Sequence, residues 1–183
     1  MTFKIEQIHH VAYRCHDAKE TVEWYKKNLH MDFVLAFAEN QVPSTKEPDP
    51  YMHIFLDAGN GNVLAFFELP SKPVMGSDEN TPAWVQHLAL RVKDRDALLK
   101  AKKHLENNGI DVLGITDHGL FHSIYFFDPN GHRIELAYDD SGAPAKIAQI
   151  TEEMKIDMLE EWSKTKRAPS HTQFLHASEF NKL

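Results

Sequence analysis

The chain has a single cysteine, Cys15, in 183 residues. No internal disulfide can form, and a lone thiol fits a reducing cytoplasm. No apolar run approaches the roughly 20 residues that a membrane-spanning helix needs. The opening "MTFKIEQIHH" carries no signal-peptide pattern. Cationic charge is also short, with 20 Lys and Arg against 27 Asp and Glu and a net charge of −7. No basic stripe is left to neutralise a phosphate backbone. These absences lead us to expect a cytoplasmic globular protein that binds neither membrane nor nucleic acid. Histidine, by contrast, is plentiful. Twelve in a chain of this length make metal and proton chemistry worth tracing.

One stretch raises the question directly. Residues 117–136 read "DHGLFHSIYFFDPNGHRIEL". Ile124 to Phe127 has the aromatic and β-branched content of a strand. Asp128-Pro129-Asn130-Gly131 is turn chemistry, in which Pro presets φ and Asn-Gly tolerates positive φ. Arg133 to Tyr138 resumes a strand, so Glu135 falls inside an antiparallel hairpin. A carboxylate facing inward there is costly unless something meets it.

A repeat supplies candidates. "HVAYRCHD" (His10 to Asp17) aligns with "HLALRVKD" (His87 to Asp94), 77 residues later. Each copy reads as a strand entering a helix, with Asp17 and Asp94 where N-caps belong. Helical spacing of apolar residues predicts helices over about 18–29 and 95–107. "IFLDAGNGNVLAFFE" (Ile54 to Glu68) and "YFFDPNGHRIE" (Tyr125 to Glu135) share a strand, turn, strand grammar that ends on glutamate. Both halves therefore read β-α-β-β-β. The expected fold is α+β, with two pseudo-twofold-related βαβββ modules forming a curved sheet around a metal-binding cleft, plus a C-terminal helix. His10, Glu68, His87 and Glu135 would converge in that cleft. Alternation along the strand would turn His9 away from His10, and would put Asn62 and Glu68 on one face. Imidazole with carboxylate suits Fe(II), Mn, Ni, Co or Zn, and two His with one carboxylate is the non-haem Fe(II) oxygenase set. With no cysteine among the donors, a closed structural zinc site is disfavoured.

The paired "HxAxRxxD" segments and the "DPNGHRIEL" ending resemble the vicinal oxygen chelate superfamily. That group holds glyoxalase I, fosfomycin-resistance and bleomycin-binding proteins, and the type I extradiol ring-cleaving dioxygenases. The resemblance covers residues 5–140 or so. Its nearest branch is the extradiol signature, represented here by His118, Ile124-Tyr125, Asp128-Pro129-Asn130-Gly131 and Glu135. It implies that His10, His87 and Glu135 hold Fe(II), and that His118 and Tyr125 hydrogen-bond substrate hydroxyls or the ring-opening intermediate. At the place of that family's further acid–base histidine this chain has Asn62, which donates a hydrogen bond but shuttles no proton. His53 or His122 would have to stand in.

Glu68 divides the readings. In glyoxalase-like relatives a carboxylate at this place is a fourth ligand. Three protein ligands on octahedral iron leave room for a catecholate and O₂, whereas four favour Lewis-acid isomerisation or addition. The first reading is thus an extradiol dioxygenase acting on an aromatic diol with O₂. A glyoxalase- or epoxide-opening-type enzyme is the alternative, and a non-catalytic ligand-binding protein is the third.

Two Pro- and Ser-rich loops, Ala38 to Tyr51 and Leu69 to Trp84, are long enough to border a cleft, where Met75 or Trp84 would touch a ring. The expected organisation is one domain over 1–142, with modules at about 5–70 and 83–140, and an extension over 143–183. In that extension Ile147, Ile150, Met154, Met158 and Trp162 form one helical stripe. It would pack on the chain or on a partner in a homodimer or higher homo-oligomer.

Overall fold

Asp17 takes extended backbone, φ −141° and ψ 122°, and its side chain accepts the amide of Glu20, starting helix α1 (Ala18–Leu29). That is N-cap geometry, and it satisfies one of the amides a helix start leaves open. The buried stripe of α1 is Ala18, Thr21, Tyr25 and Asn28, helical spacing with two polar members. Asp94 caps in the same way, accepting the amide of Ala97 at the start of helix α2 (Arg95–Asn107). Both helices begin and end where their apolar spacing predicts.

The computed structural model describes residues 3–76, 78–140 and 145–168. Around the two helices run strands β1 (Val11–Cys15), β2 (Phe33–Glu39), β3 (Tyr51–Asp57), β4 (Val63–Glu68), β5 (His87–Arg91), β6 (Leu113–Asp117), β7 (Phe121–Phe127) and β8 (Arg133–Asp139). Helix α3 (Ala145–Thr165) follows them. The order is βαβββ twice and then the helix. Each module forms its own four-stranded sheet, β1-β4-β3-β2 and β5-β8-β7-β6. The curved sheet expected from the repeat is therefore two mixed sheets.

In the first sheet β1 runs parallel to β4, while β3 runs antiparallel to both β4 and β2. Ile54, Leu56, Leu64 and Phe66 are buried, and the Phe66 ring lies 5.2 Å from Tyr25 of α1. That face is the core. Burying such side chains contributes about 1.5–3 kcal/mol each. In the second sheet β6 meets β7 through a register shift at Gly114. Gly114 sits at φ +109°, and a Cβ there would stand 2.7 Å from the carbonyl of Ser123. Only glycine lets the two backbones approach so closely.

By compactness the chain divides into two units that cut across the modules. One contains Met1–Leu88, His104–Asp111 and Phe126–Ile134; the other contains Ala89–Lys103, Val112–Tyr125 and Glu135–Leu183. In α3, Met154 and Met158 are half-buried and Trp162 is exposed, together with Ile156 and Leu159. The side chains of Ile147 and Ile150 lie outside the described residues. No helix among those described is long and apolar enough to cross a membrane.

Candidate active site

The Asp-Pro-Asn-Gly turn between β7 and β8 is a clasp. Asp128 Oδ1 accepts the amides of Asn130 and His132, which closes the turn. Its Oδ2 accepts the Tyr25 hydroxyl at 3.0 Å. Asn130 Oδ1 accepts the amide of His16 at 2.8 Å, and its amide donates to Thr21. Asp128 and Asn130 are both buried, so the polar turn is satisfied by partners from α1 and by His16, two residues before it. Motif residues that read as a loop signal thus hold the hairpin tip.

The strands leaving this turn carry the second sheet's chemistry. Glu135 on β8 is 3 % exposed, and its Oε1 accepts a short hydrogen bond from the Ser123 hydroxyl. Alternation puts Tyr125 on the same face of β7 as Ser123. The Tyr125 hydroxyl lies 2.8 Å from His118 Nε2, and the His118 ring stacks on Phe121. Ser123 is the residue that sequence reading missed. A hydroxyl two positions before Tyr125 in a strand of aromatics was the available signal.

His10 and His87 belong to the other unit. His9 and His10 precede β1, so strand alternation does not separate them, and their Nδ1 atoms sit 2.7 Å apart. His87 Nδ1 lies 3.0 Å from the carbonyl of Val85. With an N–H held there, the lone pair is on Nε2. Metal-binding histidines are commonly oriented in this way by a partner on the other nitrogen. Among the described residues, no three His, Cys, Asp or Glu side chains form a group that could hold a metal ion.

Glu68 stands on the core face. It shares the parity of Leu64 and Phe66, and its Oε2 accepts the amide of Ala18, the first residue of α1, at 2.8 Å. A carboxylate is favoured at a helix N-terminus. The opposite face of the first sheet carries Phe67 and His53, whose rings stack at 3.6 Å. Asn62 lies before β4, exposed, with its side-chain amide donating to Gly59. The repeat had equated Glu68 with Glu135, but the turns give a different register. Glu135 stands five residues beyond Asn130 and Glu68 eight beyond Asn60. That odd difference puts the two carboxylates on opposite strand faces. The counterpart of Glu135 is Ala65.

His53 is buried against Phe55, Phe67 and Phe37, and its ring centre is 6.4 Å from that of His10. Burial, and then His10, lower its pKa to about 4, so it is neutral at neutral pH. The Cys15 thiol is pushed up to about 11, chiefly by burial, and is inert as a nucleophile. A cavity of about 610 Å³ reaches His87 and is lined by Tyr13, Met75, Phe127, His132 and Arg133 among others. Met75 lines it. Trp84 does not line it and is 67 % exposed.

The model of the Glyoxalase/Bleomycin resistance protein/Dioxygenase superfamily matches residues 7–136. The chain is 29 % identical over 157 residues to the "Putative ring-cleaving dioxygenase MhqA" of Bacillus subtilis (strain 168), covering 82 % of this chain and 47 % of that protein. It spans about half the length of that relative. Among solved structures, a glyoxylase/bleomycin resistance protein/dioxygenase domain from Frankia sp. EAN1pec superposes with a TM-score of 0.60 at 16 % identity, covering 74 % of this chain and 99 % of that one. A lactoylglutathione lyase from Agrobacterium tumefaciens gives 0.52 at 17 % identity, covering 73 % and 94 %. At such identities these two show the fold alone.

Proposed function

The chain belongs to the glyoxalase/bleomycin resistance protein/dioxygenase superfamily, and from that premise we propose that it is a metal-dependent extradiol dioxygenase. Its substrate is an aromatic diol, cleaved with O₂. The observation that carries this reading is the His118–Tyr125 hydrogen bond, on the sheet face that also presents Glu135. Ring cleavage needs donors aimed at charge that develops on substrate oxygens. A Tyr hydroxyl held by an imidazole is such a donor, and the imidazole can take or return its proton.

His10, His87 and Glu135 fit a metal in donor chemistry: two imidazoles with Nδ1 engaged and one buried carboxylate. Fe(II) is the favoured ion, with Mn, Ni, Co or Zn as alternatives. When bound, such an ion would supply a Lewis-acid centre that the two diol oxygens could chelate. His118 and Tyr125 would orient the diol and hold its proton at the Tyr125 oxygen. Burial of Ser123 and Glu135 would keep water from the carboxylate. The sequence relative described as ring-cleaving supports this assignment. The four-ligand glyoxalase-like alternative asks Glu68 to serve as a ligand, and the Ala18 amide already holds that carboxylate.

The test is anaerobic metal analysis of purified protein, followed by catechol and then air. We expect about one equivalent of bound metal, O₂ uptake and a yellow ring-opened product. An iron-loaded protein that consumes no O₂ with any simple catechol would refute the assignment.

A further inference from the structure

The first sheet has a face to which the proposed reaction so far assigns only His10, whose ring centre lies 6.4 Å from that of His53 and 6.0 Å from that of Phe55. One cross-strand row on it runs Phe37 on β2, His53 on β3, Phe67 on β4 and Arg14 on β1, each directly paired with the next. Directly paired residues point to the same side. Three rings thus line the row, with a guanidinium at its end. The His53–Phe67 stack is nearly parallel, 19° between planes, and the Phe37 ring stands 5.1 Å from His53. Phe37 is 44 % exposed and its neighbour across the face, Leu35, is 48 % exposed, so the row is open at its β2 end, while His53 is buried.

Arg14 donates one hydrogen bond, from Nη2 to the carbonyl of Pro73 at 2.6 Å. Its Nε is buried and meets no acceptor among the described residues, and the same holds for Nε2 of His53 in the same row. No carboxylate pairs with Arg14 among those residues. A part-buried guanidinium without an anion is costly in a folded chain, and it is the usual means of recognising a carboxylate. Glu39, at the far edge of the face beside Tyr51, leaves Arg14 as the cationic end.

We propose that this face binds a flat aromatic carboxylate, with the ring over Phe37, His53 and Phe67 and the carboxylate on the Arg14 guanidinium. Arg14 and His53 are separated by two strand spacings, about 10 Å, the length of a benzene ring with a short carboxylate arm. The proposal deepens the ring-cleavage reading by making the substrate an aromatic diol that carries an acidic arm, and Arg14 its specificity-determining residue. Because the chain is net negative, a local cation is what such an anion requires.

Binding can be measured without turnover, so its failure is distinguishable from failure of ring cleavage. Calorimetry on the full chain, stripped of metal, would compare phenylacetate and 3,4-dihydroxyphenylacetate with neutral phenethyl alcohol and catechol. We expect the carboxylates to bind about tenfold or more tightly than their neutral partners, the scale of one charged hydrogen bond. Arg14→Met should remove that preference and leave neutral probes unchanged, while Arg14→Lys keeps part of it. In wild type, added salt should weaken carboxylate binding alone. Equal affinity for both probe classes, no binding of either, or equal losses for both in Arg14→Met would overturn the proposal. If Arg14→Met fails to fold, the wild-type salt dependence decides.

Discussion

The two sheets share a plan and diverge in what they place on it. Counting from the Asn-Gly of each hairpin, His53 corresponds to Ser123, Phe55 to Tyr125 and Ala65 to Glu135. The first sheet answers hydroxyl, phenol and carboxylate with imidazole, phenyl and methyl. Its rings stack: His53 lies on Phe67 and 4.1 Å from Phe55. In the second, Ser123 reaches Glu135 and His118 reaches Tyr125. A duplicated framework thus carries a row of stacked rings on one sheet and a row of hydrogen-bonded polar groups on the other.

The largest effect that would break this division is at the proposed ligands. His87→Ala and Glu135→Ala should each lose bound metal and reduce turnover beyond the about 10–100-fold cost of a lost outer-shell partner. Metal content and O₂ uptake would show it. Retained metal with normal turnover in either variant would refute the ligand set. Next is Tyr125→Phe, which removes a hydroxyl and keeps the ring. Its turnover should fall about 10²-fold or more, with a smaller change in KM. Phe55, its counterpart in the first sheet, has no hydroxyl to lose, so Phe55→Leu should act on KM more than on kcat.

How far the sequence carried this is clear from particular residues. Helical spacing placed α1 and α2 over about 18–29 and 95–107, and Asp17 and Asp94 mark the starts that apolar periodicity alone leaves vague. The hairpins were legible from Asn-Gly turns. The role of Glu68 was not, because a match by residue type ignored strand parity, and parity decides whether a carboxylate meets the core or the opposite face. His9 was misjudged for a related reason: it precedes the strand, where alternation has no hold. The Ser123–Glu135 bond joins strands through space, and no local pattern announces it.

Smaller effects sharpen the comparison. Gly114→Ala places a Cβ against the Ser123 carbonyl at positive φ and should cost on the order of 1–3 kcal/mol. Urea unfolding would read that loss, and turnover should fall with it as Ser123 shifts. Glu68→Ala removes an acceptor at the start of α1 and should cost about 1 kcal/mol while sparing metal content. Metal loss in that variant would restore the four-ligand reading.

The mildest prediction concerns pH. The ordinary His value is 6.5 and His53 is lowered to about 4. The unfolded chain therefore binds a proton that the folded chain refuses between these values. In metal-free protein the stability present above pH 6.5 should decline as pH falls towards 4, then level off. His53→Phe should flatten that slope, measured as urea midpoints across the range. An unchanged slope would remove His53 from the account.

The Asp-Pro-Asn-Gly clasp also has a consequence for how the chain assembles. Asp128 bonds Tyr25 across 103 residues, and Asn130 bonds His16 across 114. Closing so long a loop is an entropic hurdle that local contacts cannot lower, and such distant pairings slow folding. The bonds of Asp128 to Tyr25 and of Asn130 to Thr21 cannot form until α1 has formed. On a ribosome, α1 would emerge well before the turn it grips. Refolding from denaturant should thus show the α1 helix signal gained ahead of protection at the 128–132 amides, with Tyr25→Phe slowing the later step.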